Sequence, residues 1–202
     1  MKLPIYKLLI HDEDQWGVDF VALVDEPATQ HNWMAFDKAK LAFQGDKEKR
    51  IVSGALMVAG MPIYRRDPQR GEFYVAFDGD TIAQIRNKFA RDNAHANVNL
   101  DHDPERMVDG VYMIESFIID SERGITTPKG FDHLPDGSWF GSYKVDNEEI
   151  WQKFIKTGEF RGFSVEGVFD MELLKTEDEE LVDKLMDTLA GKRNDLDQIV
   201  TV

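Results

Sequence analysis

A chain of 202 residues, 42% apolar and 11% aromatic, can enclose one medium-sized core, which excludes wholesale disorder. It has no cysteine, so disulfides, thiolate zinc sites and cysteine nucleophiles are excluded. A formal net charge of −14 disfavours broad contact with nucleic-acid backbones, and no segment approaches the roughly 20 apolar residues that span a bilayer.

The N-terminal residues MKLPIYKLLIHDEDQWG carry only a short apolar run, broken by Lys7 and ended by acids. They lack the features of a secretory signal, so a soluble cytoplasmic protein is expected. Residues 2–10 and 18–24 read as short strands, and Asp25-Glu26-Pro27 then breaks the chain. Gly45–Arg50 reads as a loop, followed by strands at Ile51–Ala59 and Glu72–Phe77, rich in β-branched and aromatic residues. Asp80 is placed to cap a helix to about Arg91, with Ile82, Ile85 and Phe89 on one face. Further strands are expected at Asn97–Asp101, Val108–Asp120, Ser138–Val145 and Gly162–Phe169. Between the last two, Asp146-Asn-Glu-Glu149 forms a capping-box pattern. The helix it opens would turn Ile150, Trp151, Phe154 and Ile155 inward and close at Gly158.

From Glu166 onward there are eleven acids and four bases. Within this stretch Thr176-Glu-Asp-Glu179 opens a third helix, with Leu181, Leu185 and Leu189 in line. The division expected is a domain over 1–175 and an acidic helical segment over 176–202, its leucines packed on the sheet and its acids facing solvent or a basic partner. Short strands with singly inserted helices suit an α+β domain around a largely antiparallel sheet or barrel, and the irregular alternation does not suit a doubly wound fold.

Two segments carry residues suited to chemistry. In Asn97-Val-Asn-Leu-Asp-His102-Asp-Pro104, His102 ends a strand-like run before a proline turn. An imidazole there can serve as a general base near neutral pH, or simply decorate a surface turn. In Arg161-Gly-Phe-Ser164-Val-Glu-Gly167, Ser164 lies in an apolar extended run between glycines. Small neighbours permit close approach of a substrate to a nucleophilic hydroxyl, and they equally suit a small core residue. Glu166 stands where the G-x-S-x-G elbow needs glycine, which argues against an α/β-hydrolase. A metal site on Asp101, His102 and Asp103 is disfavoured, because alternate residues of a continuing strand face opposite sides. Such a site would need His95 or His133 as a partner. No metal or other cofactor is expected.

The order of His102 and Ser164, with strands between them, resembles bacteriophage prohead (procapsid) maturation serine proteases of the XkdF-like group. The resemblance runs from about Val18 to Phe169. Its anchors are Val21–Ala28, Ile51-Val-Ser-Gly54 with Pro62–Arg65, Asn97–Asp103, Gly137–Phe140 with Lys144–Asp146, and Gly162–Gly167. It implies an assemblin-like fold shared with herpesvirus maturation proteases, Ser164 as nucleophile and His102 as its base. No histidine follows His133, so the third member would be an acid, Glu166, Asp170 or one on the last helix, or the pair would act as a dyad. Backbone amides beside Ser164, such as that of Val165, or the Arg161 guanidinium would stabilise the oxyanion. The implied substrates are phage scaffold and major capsid proteins, and the enzyme itself, cut inside the assembling prohead in the host cytoplasm. Neither a membrane nor a nucleic-acid partner is expected, and a homo-oligomer is allowed. The competing readings are a non-enzymatic capsid- or scaffold-associated protein and a metal-dependent hydrolase.

Overall fold

Runs rich in Val, Ile and aromatic residues become strands, as branched and planar side chains favour on a pleated surface. The computed structural model describes residues 3–10, 17–24, 44–46 and 49–173. Within these lie β1 (Ile5–Leu9), β2 (Gly17–Val24), β3 (Gln44–Asp46), β4 (Ile51–Met57), β5 (Ile63–Asp67) and β6 (Gly71–Ala76). They are followed by β7 (Val98–Leu100), β8 (Asp103–Met107), β9 (Val111–Ile118), β10 (Trp139–Val145), β11 (Gly162–Val168) and β12 (Asp170–Leu173). Helix α1 (Gly79–Arg91) lies between β6 and β7. Helix α2 (Glu148–Ile150) precedes β11 and continues as a π-helical turn over Trp151–Ile155.

The strands form three four-stranded sheets, ordered β12-β1-β6-β5, β3-β4-β10-β9 and β11-β2-β7-β8. Pairing is mainly antiparallel, with β1–β6 and β2–β7 parallel. The architecture is thus mostly β with few helices, in keeping with an α+β domain. It is not a closed barrel among the described residues, because the edge strands of each sheet do not pair with one another. No helix of the described residues is long and apolar enough to cross a membrane.

The central strands β2 and β10 are covered on both faces, which accounts for their nearly continuous apolar sequence. Val21, Leu23, Trp139, Tyr143 and Val145 are fully buried there, and Ile82 and Ile85 of α1 join the same core. A smaller cluster holds Met61, Ile119, Phe131, Leu134 and Phe140. On α2 and its continuation Ile150 and Trp151 are buried, and Phe154 and Ile155 pack against the core, so the expected inner face is the one observed.

Several boundaries differ from the sequence reading, each for a local reason. The cap of α1 is Asp78, whose carboxylate accepts from the Thr81 amide at 2.8 Å; Asp80 sits in the first turn, where its charge complements the helix dipole. The cap of α2 is Asn147, accepting from the Ile150 amide at 3.1 Å, because Asp146 is engaged by the Tyr112 hydroxyl at 2.9 Å and by Lys144 at 3.3 Å. The Gly45–Arg50 loop is entered by β3, which pairs with β4. The long strand expected over Val108–Asp120 starts only at Val111, after a turn with Gly110 at φ +75°. Strands β5, β8 and β12 were not expected: β5 carries a charged Arg65-Arg66-Asp67 run, and Pro104 in β8 reads as a turn. The Asp25-Glu26-Pro27 break and the acidic 176–202 helix lie outside the described residues.

Candidate active site

Ser164 lies in the middle of β11 and is paired with Ala22 of β2, which in turn is paired with Asn99 of β7. Cross-strand partners present their side chains on one face, so Ser164, Ala22 and Asn99 form a row. Ser164 is 3% exposed and its hydroxyl has no hydrogen-bond partner among the described residues. Buried polar atoms are normally satisfied, so this hydroxyl is open to a partner beyond the described residues.

His102 comes from the turn that joins β7 to β8. Leu100 and Asp103 close this turn, and Asp101 and His102 have φ values of 53° and 60°. Two consecutive left-handed residues make the tight hairpin connection that matches strand twist. Asp101 accepts from Arg106 at 3.1 Å, and Asp103 accepts from the Glu105 amide at 2.9 Å. Each carboxylate flanking the histidine thus has one oxygen engaged within the hairpin. The structure does not set His102 and Ser164 on neighbouring strands, because β2 lies between β7 and β11. Both residues nonetheless line one cavity, about 550 Å³ in volume, His102 from the turn and Ser164 from β11.

The cavity lies between β11 and strands of the other two sheets. Leu8, Leu56, Phe73, Val75, Phe163 and Phe169 give it an apolar lining, and Arg65, Arg66 and Asp67 of β5 add its charges. Phe163 also packs against Tyr143, the rings tilted at 42° with centroids 4.9 Å apart; the buried Tyr143 hydroxyl has its pKa pushed well above the ordinary value by desolvation.

Val165 also lines the cavity. Val21 donates its amide to Asn97, and Leu23 accepts from Asp101, so odd-numbered residues of β2 face β7. Ala22 then faces β11, and the ladder uses the amide and carbonyl of Ser164. By the same alternation the Val165 N–H points away from β2, toward the unpaired edge of β11. Arg161 is placed differently. It is exposed, its Nε donates to the Gly158 carbonyl at 2.7 Å, and it is not among the residues lining the cavity. Glu166 is two residues beyond Ser164 on β11, opposite Phe20, and Asp170 begins β12.

A family model described as "Putative phage serine protease XkdF" matches residues 38–172. The chain belongs to this XkdF family of phage serine proteases. The matched region contains His102, Ser164 and all the strands from β3 to β11. No curated protein and no solved structure matches the chain. Among the described residues, no three or more histidines and carboxylates are grouped so as to hold a metal ion. His95 packs edge-on to Phe89 and His133 lies beside Phe131, both in other surroundings than His102.

Two features around the candidate site were missed by sequence reasoning. Asn99 is a fully buried amide on the Ser164 face; the signal was a polar residue in the middle of Val98-Asn-Leu100. The walls from β1, β4, β5 and β6 had no local signal, because they approach Ser164 only through the packing of separate sheets.

Proposed function

We propose that this XkdF-family chain is a serine endopeptidase with Ser164 as nucleophile and His102 as general base. The observation that carries the reading is the buried, unbonded Ser164 hydroxyl in a cavity that His102 also lines. In the reaction the imidazole takes the hydroxyl proton as Oγ attacks the scissile carbonyl. Collapse of the tetrahedral adduct breaks the C–N bond, and the imidazolium returns its proton to the leaving amine. Water then hydrolyses the acyl ester by the reverse proton path. The outward N–H of Val165 is the donor we assign to the oxyanion. Arg161 is left out of this role because it is engaged with Gly158. The pair acts as a dyad or with an acid, for which Glu166 is the candidate nearest in sequence and Asp170 the alternative.

Scaffold and capsid-protein extensions, and the enzyme itself, are the proposed substrates, cut within the assembling prohead in the host cytoplasm. The likeness to herpesvirus assemblin is part of this proposal. The chain would be co-expressed with its capsid and scaffold proteins, with and without Ser164→Ala. Shortened products are expected with the native chain and absent with the variant. A stable Ser164→Ala protein that still cuts the precursor would overturn the assignment. A second reading, a non-enzymatic capsid- or scaffold-associated protein, draws support from the missing hydrogen bond between the imidazole and Oγ. It predicts that a fluorophosphonate probe leaves Ser164 unmodified.

A further inference from the structure

We propose that Arg65 reads an acidic side chain of the peptide substrate close to the scissile bond. This rests on the proteolytic reading above and adds the chemical class of its substrate. In β5 the register sets Arg65 opposite Phe73 and Ile63 opposite Val75. Phe73 and Val75 are buried and line the cavity, so Arg65 stands on the strand's apolar, cavity-facing side. The pattern of that face calls for another apolar residue, and a guanidinium stands there instead.

Nothing described offsets its charge. No carboxylate lies within ion-pair distance of Arg65 among the described residues; its Nη1 donates only to the carbonyl of Tyr64, at 3.0 Å. The nearby acids are used elsewhere. Asp67 accepts from the amides of Gln69 and Arg70, both at 2.8 Å, and these bonds hold its pKa below the ordinary value. Glu72 accepts from the Tyr64 hydroxyl at 2.6 Å and is paired with Arg66. Arg65 is exposed, and with no acidic partner among the described residues its guanidinium on the wall of an apolar cavity is open to an incoming anion. A carboxylate entering the cavity would meet a planar donor fork suited to bidentate pairing. Among the described residues both β5 and β11 are sheet edges, which an extended peptide could lie along.

The test is cleavage of a proteome-derived peptide library by the full chain and by Arg65→Gln, Arg65→Glu and Arg66→Glu, with sites read by mass spectrometry. Labelling by a fluorophosphonate probe is measured in parallel on each protein. The wild-type chain should show Asp or Glu enriched at one fixed position relative to the cut. Arg65→Gln should lose about tenfold in kcat/KM for such sites, the scale of one charge-assisted hydrogen bond. Arg65→Glu should reverse the preference toward Lys or Arg among the sites it still cuts. Labelling and cleavage with no acidic enrichment would overturn the inference and leave the proteolytic reading standing. Loss of the preference in Arg66→Glu but not in Arg65→Glu would also overturn it. A wild-type chain that neither labels nor cleaves would remove the proteolytic reading and this inference together.

Discussion

At the scale of single residues, the backbone of His102 says as much as its ring. A left-handed conformation disfavours most side chains, and asparagine tolerates it well. His102→Asn should therefore leave the hairpin intact, with stability changed by no more than about 0.5 kcal/mol. Its proteolysis should fall by roughly 10²-fold or more, the usual contribution of a general base. His102→Val should lose stability as well, by about 1–2 kcal/mol, because a β-branched residue is forced into the same conformation. Urea titration and a cleavage assay on both variants separate the two effects; equal activity of His102→Asn and the wild type would remove the histidine from the mechanism. The sequence showed both of these residues as candidates, since each lies in a short, unusual segment. It could not show how they come to share a cavity. Their presence in one cavity depends on the tight turn at Asp101-His102 and on walls built by other sheets, neither of which is written near Ser164 in the chain.

At the scale of elements, the strand and helix cores were legible because periodicity is written over several consecutive residues. Their ends were less so, because a cap is decided by which neighbour is already engaged. Asp78 shows the consequence. Burial opposes its ionisation, but the ion pair with Lys7 and the bonds from Thr81 outweigh this and hold its pKa below the usual carboxylate value. A carboxyl depressed in the folded state adds stability that is fully present above its unfolded pKa of about 3.9. That stability is lost as the pH falls through the lower, folded value. Asp78→Ala should cost about 1 kcal/mol at neutral pH. The difference from wild type should shrink in denaturation measured near the folded pKa. A gap that is constant with pH would mean that the lost cap is not charge-linked. Gly167 makes a second element-level point. The β11–β2 register slips between Glu166 and Gly167, and a Cβ at Gly167 would lie 1.8 Å from the Gly17 carbonyl oxygen. That oxygen is backbone and cannot rotate aside, so Gly167→Ala must part the two strands. The expected loss is about 1–3 kcal/mol. Cleavage should weaken too, since the same strand carries Ser164; a fully active, fully stable variant would show that this contact is not tight.

At the scale of the whole molecule, the site is not carried by one element, and so stability and activity are coupled unevenly across the fold. The cavity draws its walls from all three sheets, whereas none of the five buried residues of the cluster around Phe131 lines it; only Val58, packed on the edge of that cluster, reaches the cavity. Phe131 packs at 4.9 Å against Phe140 inside that separate cluster. Phe73 packs at 5.3 Å against Tyr6 and also forms cavity wall. Replacing either by leucine keeps an apolar side chain of similar volume, so each change should cost about 1 kcal/mol and leave the protein folded. The two should then diverge. In Phe131→Leu the loss is confined to stability, and kcat/KM per folded molecule should equal that of the wild type. In Phe73→Leu the cavity changes shape beside Arg65, and kcat/KM should fall several-fold at the same loss of stability. Denaturant midpoints paired with active-site titration by a fluorophosphonate probe provide the comparison. If Phe131→Leu impairs turnover as much as Phe73→Leu, the cavity is not the substrate site and activity follows global stability alone. If only Phe73→Leu does so, the space between the sheets is where the peptide is held.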